Sequence, residues 1–99
     1  MDRSTIVEGS APATVARFGA LADPARLAIL ERLAGGTMCA CELGPSLGMA
    51  PSLLSYHARI LREAGLITAV RSGRRVEYRL RDEGLDALRA ELDRLRSSR

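Results

Sequence analysis

Cys39 and Cys41, the only cysteines of this sequence, stand one residue apart and are its most reactive pair. Their thiolates are soft donors, suited to As(III), Sb(III), Cd(II), Pb(II) or Cu(I) rather than to hard ions. In the first turn of a helix such thiols ionise more readily, because a helix N-terminus favours negative charge. Residues two apart on a regular helix point to nearly opposite sides, so one ion held by both sulfurs requires an unwound first turn. Ligation would then distort the helix that carries the pair. A structural disulfide across one intervening residue is not expected, because its geometry is demanding. The third donor would be Glu42, a solvent hydroxide, a small thiol or a group from a second protomer. The bland alternative is a pair of small apolar core residues, as free cysteine often is.

A second set of residues has the chemistry to read nucleic acid. Ser52, Ser55, Tyr56, Arg59 and Arg62 place short hydroxyls first, then an aromatic ring, then two guanidiniums. The small polar part fits a major groove, and the cations reach phosphates. His57, the only histidine, falls among them but on the apolar side. It is expected to be half-buried and hydrogen-bonded, with a phosphate contact from its ring edge as the second reading. Arg71, Arg74 and Arg75 crowd a turn further on. They would contact DNA if that turn is a wing, and would be a solvated loop otherwise.

These residues need elements to hold them. Pro51 suits the first position of a helix and Gly65 the position just past its end. Between them Leu53, Leu54, His57, Ile60, Leu61 and Ala64 recur at three- and four-residue spacing, which makes one buried stripe. A shorter helix over 39–47 ends near Gly48, three or four residues before Pro51. Two short helices so joined, the second polar outside, fit a helix-turn-helix. Leu66-Ile67-Thr68-Ala69-Val70 and Arg75-Val76-Glu77-Tyr78-Arg79-Leu80 read as strands joined by the turn Arg71-Ser72-Gly73-Arg74. Upstream, a first helix starts at Pro12 or Ala13 and carries Val15, Phe18, Leu21 and Ala22. Asp23-Pro24 caps and starts a second helix that stops at Gly35-Gly36. Asp82 is expected to cap the last helix, where Leu85, Leu88, Leu92 and Leu95 make a narrow seam like half of a coiled coil. That seam is read as a dimer contact shared with the first helix; packing on its own domain is the alternative. Residues 1–11 have no periodicity and read as a mobile arm.

The whole chain agrees with a small binding protein. Its 99 residues, 46% hydrophobic, form one domain with a core, over 12–99. Fifteen basic against twelve acidic residues give a net charge of +3, and every basic residue is arginine. Arginine favours bidentate contacts to phosphates and base edges. With one Phe and no Trp, base stacking is not the method. No apolar run approaches the ~18 residues of a membrane span, and no signal peptide opens the chain, so a cytoplasmic location is expected. One histidine, no nucleophile–base spacing and no phosphate loop leave nothing from which to assemble an enzyme.

Three stretches resemble the ArsR/SmtB family of metal- and metalloid-responsive winged-helix repressors, and the resemblance spans roughly Phe18 to Leu95. Ser55-Tyr56-His57-Ala58-Arg59-Ile60-Leu61-Arg62-Glu63-Ala64-Gly65-Leu66 is similar to the family's recognition helix, Ser-x-His-Leu-x-x-Leu-x-x-Ala-Gly-Leu, with Ala58 where Leu is usual. Asp23-Pro24-x-Arg26-Leu27-x-Ile29-Leu30-x-x-Leu33 resembles its scaffold. Met38-Cys39-Ala40-Cys41-Glu42-Leu43 resembles the ArsR-type sensor segment, which has a third cysteine where this chain has Gly44. Of the SmtB-type site on the last helix only Asp82 matches. The resemblance implies a mainly α (α+β) winged helix-turn-helix of about five helices with a two-stranded hairpin wing, acting as a homodimer. It implies a repressor that binds double-stranded operator DNA with no cofactor and releases it when a thiophilic ion such as As(III) or Sb(III) reaches Cys39 and Cys41. Sensing of Ni(II) or Zn(II), sensing of thiol oxidation, and a protein-interaction module on the same scaffold are the alternatives.

Overall fold

Asp23 turns the first corner of the chain. In the computed structural model, which describes residues 12–98, helix α1 (Pro12–Leu21) ends just before it and α2 (Pro24–Leu33) begins just after. The expected arm over 1–11 lies outside the described residues. Asp23 is extended, and its Oδ1 accepts hydrogen bonds from the N–H groups of Ala25 (2.8 Å) and Arg26 (3.1 Å). The Arg26 N–H, above all, holds the Asp23 carboxyl below the usual carboxylate range. The Ala25 N–H and the Arg26 guanidinium add to this, against a partial loss of hydration.

Strand β1 (Met38–Cys39) follows, then α3 (Ala40–Ser46), α4 (Pro51–Glu63), β2 (Ile67–Ser72), β3 (Arg75–Leu80) and α5 (Asp82–Ser97). There are thus five helices among the described residues, as expected. The sheet has three strands rather than two, in the antiparallel order β1-β3-β2. Met38 and Cys39 lie opposite Tyr78 and Glu77 and pair with backbone that β3 would otherwise leave open. A two-residue strand is too short to show any alternation, which is why periodicity misses it. Arg71 and Ser72 extend β2 rather than forming the turn, since Ser72 pairs with Arg75. Only Gly73 and Arg74 connect the strands, and Gly73 has the positive φ (+60°) that so tight a hairpin needs.

Helices α3 and α4 form the helix-turn-helix, joined by residues 47–50. Buried Gly44 lets them approach: a Cβ there would lie 3.0 Å from the carbonyl oxygen of Met49. Helix α4 begins at Pro51 and closes with a paired cap. The N–H of Gly65 donates to Arg62 O and the N–H of Leu66 to Leu61 O, both at 3.0 Å, with Gly65 at φ +77°. Its inner stripe is Leu54, His57, Ala58, Leu61 and the following Ala64, with Ile60 half-buried. Leu53 does not belong to it and is 46% exposed. The small Ala58 takes the inward position, which turns Leu53 outward.

Ile29, Leu43, Leu54, Leu61, Leu66 and Ile67 form the centre of the core, between the helices and the sheet. Helix α1 packs along α5. Asp82 is the first residue of α5 and not its cap; Arg81 holds the cap position without a side-chain bond. The leucine seam divides: Leu88 is buried in its own core and Leu85 half-buried, whereas Leu92 and Leu95 stay exposed beyond the domain.

Candidate nucleic-acid interface and thiol pair

Helix α4 presents Ser52, Ser55, Tyr56, Arg59 and Arg62 to solvent, as their spacing predicts. Arg59 is partly committed, its Nε lying 3.2 Å from Glu63 Oε2 with both side chains largely exposed. At the hairpin tip Arg71, Arg74 and Arg75 are exposed, and Arg75 Nε lies 3.1 Å from Glu77 Oε2. Among the described residues no ion pair engages Arg62, Arg71 or Arg74. These three therefore offer the most available cations beside the helix. Exposed pairs such as the other two are worth little and yield readily to a phosphate.

His57 departs from the expected interface. It is only 8% exposed, and its Nδ1 lies 3.3 Å from Arg26 Nη1. A guanidinium has no acceptor, so Nδ1 accepts that bond. Arg26 also donates from Nε to Ala20 O (2.7 Å) and from Nη2 to Gly19 O (3.4 Å). One side chain thus ties the last carbonyls of α1 to the recognition helix. His57 is a positioning residue on the inner face, half of the expectation made for it, and does not face a phosphate. Sequence reading assigned Arg26 to the scaffold without its partner; an arginine amid Leu27, Ile29 and Leu30 was the available signal.

The thiol pair overturns one expectation outright. Cys39 and Cys41 are joined by a disulfide, with their Cα atoms 5.2 Å apart. The helical geometry assumed for them fails because Cys39 precedes the helix. It has extended backbone (φ −75°, ψ 156°), ends β1 and occupies the cap position of α3. Its Sγ can therefore meet that of Cys41, and the Cα separation falls within the range a bridge requires. Cys39 is 1% exposed while Cys41 is open to solvent. Glu42 Oε1 accepts from the Cys39 N–H at 3.3 Å, which ties the cap to the first turn. When reduced, the pair supplies two soft donors already side by side. No group of three or more His, Cys, Asp or Glu able to hold a metal ion occurs among the described residues.

A helix-turn-helix with an arginine-tipped hairpin beside its second helix defines a winged helix-turn-helix protein. Residues 23–69 match the family model described as bacterial regulatory protein, arsR family. The chain belongs to that family, whose matched members are transcriptional regulators and not enzymes. It is 46% identical over 66 residues to the transcriptional repressor SmtB of Mycobacterium tuberculosis, covering 67% of this chain and 49% of that one. It is 36% identical over 78 residues to the arsenical resistance operon repressor of Staphylococcus xylosus, covering 79% and 75% respectively. Among solved structures, a homodimeric winged helix-turn-helix DNA-binding domain from Mycobacterium bovis superposes with a TM-score of 0.68 at 32% identity, covering 98% and 87%. The match spans about half the length of the SmtB relative.

Proposed function

We propose that this chain is a homodimeric transcriptional repressor of the cytoplasm whose hold on operator DNA is controlled at Cys39 and Cys41. The observation that carries this reading is the position of Cys39. That residue ends the strand paired with wing strand β3 and, in the same step, caps the first helix of the helix-turn-helix. A change of its backbone is felt both by the wing and by the helix that props α4. The reduced pair chelates a soft ion such as As(III) or Sb(III), drawing Cys39 away from the β1–β3 register. The arsenical repressor among the relatives supports this choice of ion.

A second reading has its own observation: the two sulfurs are bonded. Two thiols that lose two electrons and two protons to a peroxide or a small disulfide would move the same junction without any ion. One experiment separates these. The reduced protein on operator DNA is titrated with As(III), Cd(II), Ni(II) and Zn(II) in one series and with hydrogen peroxide in another. Release by As(III) or Cd(II) under anaerobic conditions supports the ion reading. Release by peroxide alone supports oxidation, and release only by Ni(II) or Zn(II) moves the sensor to oxygen and nitrogen donors.

Two outcomes test the DNA and dimer parts. Binding should weaken with salt, and Arg71→Ala with Arg74→Ala should reduce the log–log slope by about 0.9 for each lost phosphate contact. Arg75→Ala should do less, because Glu77 already holds that guanidinium. An unchanged slope in the double variant would mean that the hairpin does not touch DNA. The dimer is assigned to α1 and α5, where Val15, Leu92 and Leu95 stay exposed. It would set the recognition helices roughly 34–36 Å apart, one turn of the duplex. Leu92→Glu puts a charge into that contact and should yield monomers in sedimentation at micromolar concentration; a persistent dimer would place the contact elsewhere.

A further inference from the structure

We infer that Leu53 is a specificity-determining residue of this protein and reads the C5-methyl group of a thymine in the major groove. The inference rests on the proposal that α4 enters that groove. Leu53 is the third residue of α4, so it stands in the N-terminal part of a recognition helix, the part that meets base edges. It is 46% exposed, and Tyr56, one turn on, is 59% exposed. From Pro51 to Ala58 the helix carries no formal charge apart from what His57 can take up on its inner face. The outward groups there are the hydroxyls of Ser52, Ser55 and Tyr56, and the isobutyl of Leu53. Cations begin at Arg59 and continue on the wing. The face is therefore graded, uncharged where bases lie and cationic where phosphates lie.

A leucine in that place has one kind of partner. Base edges in the major groove offer hydrogen-bond donors and acceptors everywhere, and a single apolar group, the thymine methyl. Polar edges would be desolvated against Leu53 with nothing returned, at a cost, whereas the methyl buries apolar area on both sides. Leu53 thus selects for thymine and against cytosine at one position of each half-site.

The test uses the full reduced chain. Duplexes are selected from a random library, and each thymine of the selected site is replaced in turn by deoxyuridine, which lacks only the methyl. The expected result is one position per half-site where the replacement weakens wild-type binding about fourfold, the worth of one buried methyl. Leu53→Ala should bind thymine and deoxyuridine equally there, and Leu53→Met should keep part of the discrimination. Failure to enrich any sequence would overturn the groove reading itself, and this inference with it. Enrichment with no deoxyuridine-sensitive position overturns the inference alone. So does discrimination that survives Leu53→Ala but disappears in Tyr56→Ala, or a Leu53→Ala variant whose only change is its sedimentation as a dimer.

Discussion

Operator bound by the Cys41→Ser variant is expected to stay bound at ion concentrations that free it from the wild-type protein. Binding uses the outer face of α4 and the wing, neither of which contains a cysteine, so affinity for DNA should be preserved. Release is another matter. Taking the binding-competent form from about 99% to 1% requires ~5.5 kcal/mol of differential affinity. Two thiolates on one soft ion across two subunits can supply that, and one thiolate with water falls well short. Cys41 is the cleaner position, because it is exposed and serine adds only a hydroxyl in water. Cys39 is 1% exposed, so serine there buries a hydroxyl in the core, whereas Cys39→Ala leaves only a small void. Both single variants and the Cys39→Ala, Cys41→Ser double variant should be permanent repressors in a release assay by fluorescence anisotropy. A double variant that still lets go at the wild-type ion concentration would return the cysteines to the core and place the sensor elsewhere.

The two oxidation states give the same variants a second use. Under the ion reading, wild-type protein treated with peroxide has no free thiols and should ignore As(III). Under the oxidation reading, peroxide itself empties the operator, and Cys41→Ser abolishes that response. The pair was legible as a pair, since two thiols one residue apart are conspicuous. Their bonding was not, because it depends on Cys39 being extended, and that in turn depends on β1. A two-residue strand forms only because the edge of β3 is there to receive it. No local pattern in Met38 and Cys39 encodes that edge.

The same division runs through the recognition helix. Pro51 and Gly65 mark its ends because proline and a left-handed glycine act locally, and both are found where expected. The outward placement of Ser52, Ser55, Tyr56, Arg59 and Arg62 follows from periodicity alone. Leu53 was misplaced because periodicity leaves two directions for a residue on the shoulder of a stripe. The neighbours decide between them, and here Ala58 and the α2 side of the core take the inward space. Arg26 was recognised as scaffold, yet its bond to His57 joins residues thirty-one apart and could not be read from either. Sequence thus delivers faces and ends, while tertiary contacts decide shoulders and partners.

Gly84 was not singled out by any pattern, and it carries the last expectation. As the third residue of α5 it stands where alanine would ordinarily improve a helix by roughly 0.5–1 kcal/mol. The structure reverses that sign. A Cβ on Gly84 would run into the carbonyl oxygen of Gly65, approach its carbonyl carbon to 2.9 Å and reach Leu66 Cα at 3.3 Å. All three are backbone atoms at the paired cap of the recognition helix, so no rotamer change relieves the overlap. Helix α5 would have to lift away, stretching the bond from the Arg81 N–H to Leu66 O, now 2.9 Å. Overpacking of this kind typically costs about 1–3 kcal/mol, and more where backbone must move. Gly84→Ala should therefore melt lower, by roughly 4–8 °C for each kcal/mol lost in a domain of this size. The effect should extend to function, because α5 carries the exposed Leu92 and Leu95 while Gly65 closes the helix that meets DNA. Displacing one against the other alters the distance between the two recognition helices of a dimer, so operator affinity should fall beyond what the lost stability explains. Gly19, which has nothing within 4 Å of its Cβ position in α1, is the control. Gly19→Ala should hold or raise the melting temperature, and a Gly84→Ala protein as stable as it would show that α5 does not seat against the α4 cap.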